Sequence, residues 1–119
     1  MNRRTFIGTS VAATLAVSRP SWAADSAHKI DRIGVQLYTV RDAMKTDFAG
    51  TIAKVASTGY KEVEFAGYFG HSPKEVRELI DKNALAAPSC HVDYAVVENK
   101  WPETLEAAKM VGHSYIICP

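Results

Sequence analysis

Short apolar runs recur along the chain after about residue 30, and amphipathic segments separate them. Each run is rich in β-branched or aromatic residues, as is typical of strands that are buried on at least one face. The four predicted strands cover residues 33–40, 61–67, 86–92 and 114–118. Because their starts lie 28, 25 and 28 residues apart, the pattern predicts a repeated strand–helix unit.

The segments between these strands carry the start and stop signals of helices. In residues 47–57 the apolar side chains share one face, Asp47 can cap the N-terminus, and Gly59 suits a left-handed position beyond the end. A second helix is predicted to begin after Ser72, which forms a capping box with Glu75. Both segments are therefore expected to be helices with one buried face.

The second helix is expected to end at Asn83 in the left-handed conformation, and a third helix is predicted from about Pro102 to Gly112. The side chains expected to be buried are Phe48, Ile52, Val55 and Ala56 in the first helix, Val76, Leu79 and Ile80 in the second, and Leu105, Ala108 and Val111 in the third.

Alternation of strands and helices at this period predicts parallel strands joined by right-handed crossovers. The turn at residues 39–43 contains no glycine, which disfavours a dinucleotide-binding sheet. We predict an α/β fold, a partial (β/α)8 barrel ordered β1-α1-β2-α2-β3-α3-β4. A whole barrel needs ~250 residues, so this sequence of 119 residues is expected to be its N-terminal half. The alternative is that two copies pair to close one barrel, and the exposed edge of the fourth strand favours self-association.

The first 23 residues have the layout of an export signal. Arg3 and Arg4 precede an apolar run at residues 6–17, which is too short to span a bilayer because a spanning helix needs ~20 residues. The adjacent arginines favour the twin-arginine route over an ordinary secretory signal. We therefore predict a signal peptide at 1–23, a linker at 24–30 and the barrel half at 31–119, in a periplasmic or secreted protein without a stable membrane anchor after cleavage.

Charge and cysteine content narrow the possible partners. The formal net charge is +1, and without the three leader arginines 11 basic side chains face 13 acidic ones, so the remainder carries about −2. This balance disfavours a nucleic-acid partner, which needs a basic face. An oxidising compartment permits a disulfide between Cys90 and Cys118, but buried apolar fillers of the strands are the favoured interpretation.

Several segments in order resemble the sugar phosphate isomerase/epimerase family, whose members share the xylose-isomerase-like barrel. The segments are GVQLYTVRDAM, GYKEVEFAGYFG, SPKEVRELID and APSCHV, and the resemblance covers about residues 30–119. It is closest to exported members with a twin-arginine leader. The resemblance implies aldose–ketose isomerisation or epimerisation of a sugar or sugar phosphate through a metal-stabilised enediolate. It also implies a divalent cation (Mn, Mg, Co or Zn) whose ligands come mainly from later strands.

Candidate site residues follow from the rule that barrel active sites lie at the carboxyl ends of the strands. Gln36 and Tyr38 share one strand face and suit sugar hydroxyls, although purely structural roles fit them equally. The resemblance places Glu64 near substrate and often has a histidine where His91 stands, so these two are the catalytic candidates and also substrate-binding ones. Tyr68 is a further substrate-binding candidate in the loop after the second strand, and the alternative is a glycine-bounded turn that merely packs Phe69.

Other interpretations of the same residues stay open. Glu64 could form a structural ion pair, and His91 could be a satisfied loop histidine or a metal ligand. No metal site is assigned, because two ligands are too few, and the chain alone is expected to be inactive. His71 and His113 are expected at the surface. The alternative functions are a non-catalytic sugar-binding or partner-binding half-barrel and, less favoured because of the charge, an abasic-site endonuclease-like barrel.

Overall fold

The computed structural model describes residues 30–119, so the predicted signal peptide and nearly all of the predicted linker lie outside the described residues. The described part contains four strands in one sheet of order β1-β2-β3-β4, and every neighbouring pair is parallel. The strands are Gly34–Gln36 (β1), Glu62–Ala66 (β2), Ala86–His91 (β3) and Tyr115–Ile117 (β4). The predicted alternation of parallel strands and helices is confirmed.

Five α-helices are present in the described residues. They are Arg41–Thr46 (α1), Phe48–Ser57 (α2), Pro73–Lys82 (α3), Tyr94–Asn99 (α4) and Trp101–Val111 (α5). The three predicted helices correspond to α2, α3 and α5, whereas α1 and α4 were not predicted. Both are only six residues long, which is too short for a helical periodicity to be read from the sequence.

The first predicted strand is too long. It ends at Gln36, and Leu37–Val40 forms a 3₁₀ helix that leads directly into α1. Burial of Leu37, which is fully inaccessible, outweighs the β propensity of this segment. The prediction that Tyr38 shares a strand face with Gln36 is therefore wrong, and the Tyr38 side chain lies beyond the strand, 55% exposed.

Side-chain caps fix the limits of the helices. The Asp47 carboxylate accepts a hydrogen bond from the backbone N–H of Gly50, and the capping box of Ser72 and Glu75 is present. Gly112 ends α5 with a φ of 92°. Asn83 does not adopt the predicted left-handed conformation.

Asn83 has a φ of −97° and donates from its side chain to the carbonyl of Leu79 at 2.8 Å. The positive φ, 52°, falls instead on Ala84. The side chain adds to the bond that the backbone N–H of Asn83 donates to the same carbonyl at 3.2 Å, and the reversal occurs one residue later.

The core lies between the helices and one face of the sheet. The predicted helical faces are buried there, fully or in part: Phe48, Ile52, Val55, Val76, Ile80, Ala108 and Val111 are buried, and Ala56, Leu79 and Leu105 are partly buried. From the sheet, Val63, Phe65 and Cys90 join this core. Because side chains alternate along a strand, the opposite face of the sheet is left to polar side chains.

The two cysteines occupy different environments, and both are free thiols. Cys90 is buried, as predicted for an apolar filler, whereas Cys118 is exposed, so that interpretation is wrong for Cys118. The reason is that Cys118 lies beyond the end of β4 and outside the core between the helices and the sheet. Among residues 30–119, no helix combines the length and the apolar character that crossing a membrane requires.

Candidate functional site

The polar face of the sheet brings Glu64 and His91 together. They lie towards the carboxyl ends of β2 and β3, and the parallel register sets Glu64 beside Ser89 and Ala66 beside His91. Oε1 of Glu64 is 2.9 Å from Nε2 of His91, and each side chain is about one quarter exposed (24% and 25%). The two predicted catalytic candidates therefore form one pair that solvent can reach.

Two further side chains hold the Glu64 carboxylate in place. The side-chain amide of Gln36 donates from Nε2 to Oε1 at 2.9 Å, and the hydroxyl of Ser89 donates to Oε2 at 2.5 Å. Gln36 stands directly beside Glu64 in the register of β1 and β2. Three adjacent strands thus contribute to one network, which orients both carboxylate oxygens.

The same hydrogen-bond network determines which tautomer the neutral His91 ring adopts. Nε2 faces the Glu64 carboxylate, which only accepts hydrogen bonds when ionised, so Nε2 carries the proton in the neutral ring. Nε2 of Gln36 lies 3.0 Å from Nδ1 and 3.1 Å from Nε2 of this ring, and in this tautomer only the Nδ1 lone pair accepts from the amide. The arrangement is an imidazole whose basic nitrogen, Nδ1, is turned away from the carboxylate partner.

The described residues alone do not fit a divalent cation centre. Nowhere in residues 30–119 do three or more His, Cys, Asp or Glu side chains converge as metal ligands. Glu64 and His91 supply two donors, whereas catalytic zinc sites use three protein ligands. The cation implied by the family resemblance would need ligands from outside this part of the chain.

A cavity of about 480 Å³ opens beside His91 at the carboxyl ends of the strands. Its walls come from the ends of β2 and β3 and from α4 and α5, and they include Tyr38, Tyr68 and Val96. Tyr38 thus lies at the mouth predicted for it, although on a 3₁₀ helix. The Arg41 guanidinium is 4.4 Å from the centroid of the Tyr38 ring.

Tyr68 lines this cavity with its ring, while its hydroxyl is engaged in a hydrogen bond within the protein. The hydroxyl donates to Nε2 of His113 at 2.8 Å, since Nδ1 of His113 donates to the carbonyl of Ala87 at 2.7 Å. Burial raises the pKa of the Tyr68 phenol well above its usual range, and the nearby Cys90 adds to the shift. Tyr68 lines the cavity, while its hydroxyl faces the protein.

His113 is not at the surface, so that prediction is wrong. Its ring is partly buried against Phe65 and Tyr68, and burial lowers its pKa below the ordinary value of 6.5. The sequence places it after a helix-ending glycine, which indicates a loop and gives no sign of burial. His71 is exposed as expected, and its ring stacks on Phe48 at 4.2 Å.

The remaining carboxylate of β2 is separate from the pair. Glu62 lies two residues before Glu64 and forms an ion pair of 3.3 Å with Arg32, away from the carboxyl ends of the strands. Ser89 is the site residue to which sequence reasoning assigned no role. Its place on the same face as His91 was the available signal.

The comparison with solved structures identifies the architecture. A crystal structure of a sugar phosphate isomerase/epimerase from Parabacteroides distasonis ATCC 8503 matches 79% of this chain with a TM-score of 0.61 and 18% sequence identity. The fold is a partial (β/α)8 barrel. The resemblance found in the sequence is confirmed at the level of the fold.

The match covers 40% of the length of the Parabacteroides protein, as expected for about half of a barrel. No protein-family model matches the chain, and no curated protein matches it.

Proposed function

We propose that residues 30–119 form one wall of the sugar-binding mouth of a barrel enzyme that isomerises or epimerises sugars. The observation that carries this proposal is the Glu64–His91 pair at the carboxyl ends of neighbouring parallel strands. That end of the barrel is where enzymes of this fold place their chemistry. The structural neighbour, described as a sugar phosphate isomerase/epimerase, supports the same class of substrate.

The pair suits the proton transfer that such reactions require. Isomerisation moves a proton from the hydroxyl-bearing carbon next to a carbonyl onto the carbonyl carbon, while the proton of that hydroxyl passes to the carbonyl oxygen. Epimerisation returns a proton to the same carbon from the opposite face. Nδ1 of His91 is the base that takes this proton once the substrate displaces the Gln36 amide from it, and the Glu64 carboxylate stabilises the resulting imidazolium through Nε2–H. In isomerisation the proton then leaves Nδ1 for the neighbouring carbon on the same face of the sugar, which restores the neutral ring. Epimerisation needs a second proton donor on the opposite face.

Gln36 has a binding role in this scheme. Its amide donates to Glu64 and lies 3.0 Å from Nδ1 of His91, so a sugar oxygen that reaches Nδ1 also comes within range of the amide. The rings of Tyr38 and Tyr68 add flat surfaces beside the pair. A closed barrel has eight strands, and the described sheet has four. We therefore expect residues 30–119 by themselves to bind a sugar without converting it into product.

The location of sugar binding tests this proposal directly. The full chain is titrated with an unphosphorylated ketose, and amide and histidine ring signals are followed by NMR. We expect the perturbed signals to cluster at Gln36, Glu64 and His91 and to spare Glu62. Absence of any sugar-dependent change at His91 would overturn the proposal.

We also propose that the first 23 residues direct export by the twin-arginine route to the periplasm or the outside of the cell. Arg3 and Arg4, the short apolar run and the residues before position 24 support this. Replacing both arginines with lysine is expected to hold the protein inside the cell, as measured by cell fractionation. Unchanged export of that variant would contradict the twin-arginine route.

A further inference from the structure

We infer that the substrate group that enters the cavity bordered by His91 is uncharged and apolar, so that the sugar bound here carries an aromatic or aliphatic substituent at this end and no phosphate. This inference rests on the proposed function, because it names the class of sugar for the same mouth. It depends on the shape, the lining and the charge of the cavity that His91 borders.

The cavity has the size of a small-molecule site and is continuous with the Glu64–His91 pair. Its volume is about 480 Å³, and His91 belongs to its wall. Ligand pockets usually measure ~300–1,000 Å³ and bury most of their ligand. A pyranose ring held at His91 can therefore extend a substituent of the size of a phenyl group into this cavity.

Most of the wall is apolar. Val92, Val96 and Ala107 contribute aliphatic surface, and Tyr38 and Tyr68 contribute rings. The Tyr68 hydroxyl is bound to His113 and does not face a ligand as a free donor. Such a lining favours an apolar group, because burying apolar area is stabilising and stacked rings add to it.

The charge of the wall opposes a phosphate. Asp93 is its only Asp or Glu residue, and within the described part of the chain no Lys or Arg lines the cavity. A phosphate ester carries about −1.5 to −2 charges at pH 7 and requires cationic or multiple N–H partners. The nearby Arg41 packs over the Tyr38 ring and donates to the Tyr38 carbonyl at 3.0 Å, so it is engaged outside the wall.

Three glucosides that differ only at the anomeric carbon test the inference on the full chain. Methyl β-D-glucoside, phenyl β-D-glucoside and β-D-glucose 1-phosphate are titrated under the same conditions by calorimetry. We expect the phenyl glucoside to bind about tenfold more tightly than the methyl glucoside, and the phosphate to bind most weakly. Tighter binding of the phosphate than of the methyl glucoside, or equal binding of the methyl and phenyl glucosides, would overturn the inference.

Variants locate the effect in the cavity. Ala107→Leu fills it and should reduce the affinity for the phenyl glucoside to that for the methyl glucoside. The control Ala49→Leu changes an exposed position of α2 and should bind all three compounds like the wild type. If Ala107→Leu fails to fold, as judged by circular dichroism, Val96→Thr replaces it, with the same expected direction. A folded variant with wild-type affinity for the phenyl glucoside would contradict the inference.

Failure of the inference can be told apart from failure of the proposed function. If both uncharged glucosides bind equally and perturb the His91 signals, the sugar-binding function is supported and the apolar subsite is overturned. If no glucoside binds but phenol does, and Ala107→Leu abolishes the binding of phenol, the apolar cavity is supported and the sugar-binding function is overturned. If none of these compounds binds, both are overturned.

Discussion

Oε1 of Glu64 and Nε2 of His91 lie 2.9 Å apart across the gap between two neighbouring parallel strands. The contact depends on the register of β2 and β3, which sets Glu64 beside Ser89 and Ala66 beside His91. Ser89 and Gln36 bind the same carboxylate from either side. The sheet therefore orients the Glu64–His91 pair before any ligand arrives.

The sheet that carries this pair depends on Phe65, which lies between Glu64 and Ala66 and points into the core. Its side chain is fully buried, so Phe65→Ala is expected to lower the free energy of unfolding by about 3–5 kcal/mol. The control Tyr94→Ala removes an aromatic ring that is 68% exposed and should change it by less than about 0.5 kcal/mol. Urea denaturation measures both, and equal effects of the two substitutions would contradict the described core.

The partly buried His113 predicts how stability depends on pH. Burial lowers its pKa below 6.5 in the folded protein, so the unfolded chain takes up a proton at a higher pH than the folded one does. The contribution of the neutral ring to stability is therefore complete above the unfolded pKa and is lost as the pH falls through the folded pKa. Denaturation at a series of pH values from 8 to 5 should show less of this decline for His113→Gln than for the wild type.

The exposed His71 provides the control for that experiment. His71→Gln is expected to follow the wild-type curve of stability against pH. The assignment to His113 fails if His113→Gln declines with falling pH as steeply as the wild type.

The outer edge of β4 predicts self-association. Within the described sheet β4 pairs only with β3, while the side chains of Tyr115 and Ile117 are 68% and 38% exposed. An unpaired edge with apolar side chains favours pairing with another chain, and a lysine there opposes it. Analytical ultracentrifugation should therefore show concentration-dependent association of the wild type and a largely monomeric Ile117→Lys.

Met110 offers a matched control for the edge, since it is an exposed apolar residue of α5. Met110→Lys should associate like the wild type. Monomeric wild-type protein at all concentrations, or equal disruption by both lysine variants, would contradict pairing through β4.

Much of the fold follows from local signals in the sequence. The caps at Asp47 and Ser72 and the glycine at 112 fixed helix limits correctly, because each acts within a few residues of its own position. Leu37 and Asn83 were misjudged for the opposite reason. Their conformations depend on burial against the core and on a competing side-chain bond, which local propensity does not contain.

The candidate site was predictable in part. Strand alternation and the barrel rule selected Gln36, whereas the resemblance to the isomerase/epimerase family was needed to choose Glu64 over Glu62 and also supported His91. The structure brings these three together. The register across strands was not available from the sequence, so the role of Ser89 was missed. The burial of His113 was missed for the same reason, since it arises from packing against a loop 45 residues earlier.

The affinity of the full chain for a simple sugar, measured by calorimetry for Glu64→Gln and Glu62→Gln, tests the central claim most directly. The two substitutions make the same chemical change two residues apart on the same strand and the same face, but only Glu64 contacts His91. Removing one member of a charge-assisted hydrogen-bond network should weaken binding at least about tenfold for Glu64→Gln, with Glu62→Gln close to the wild type. Equal affinities of the two folded variants would contradict the account.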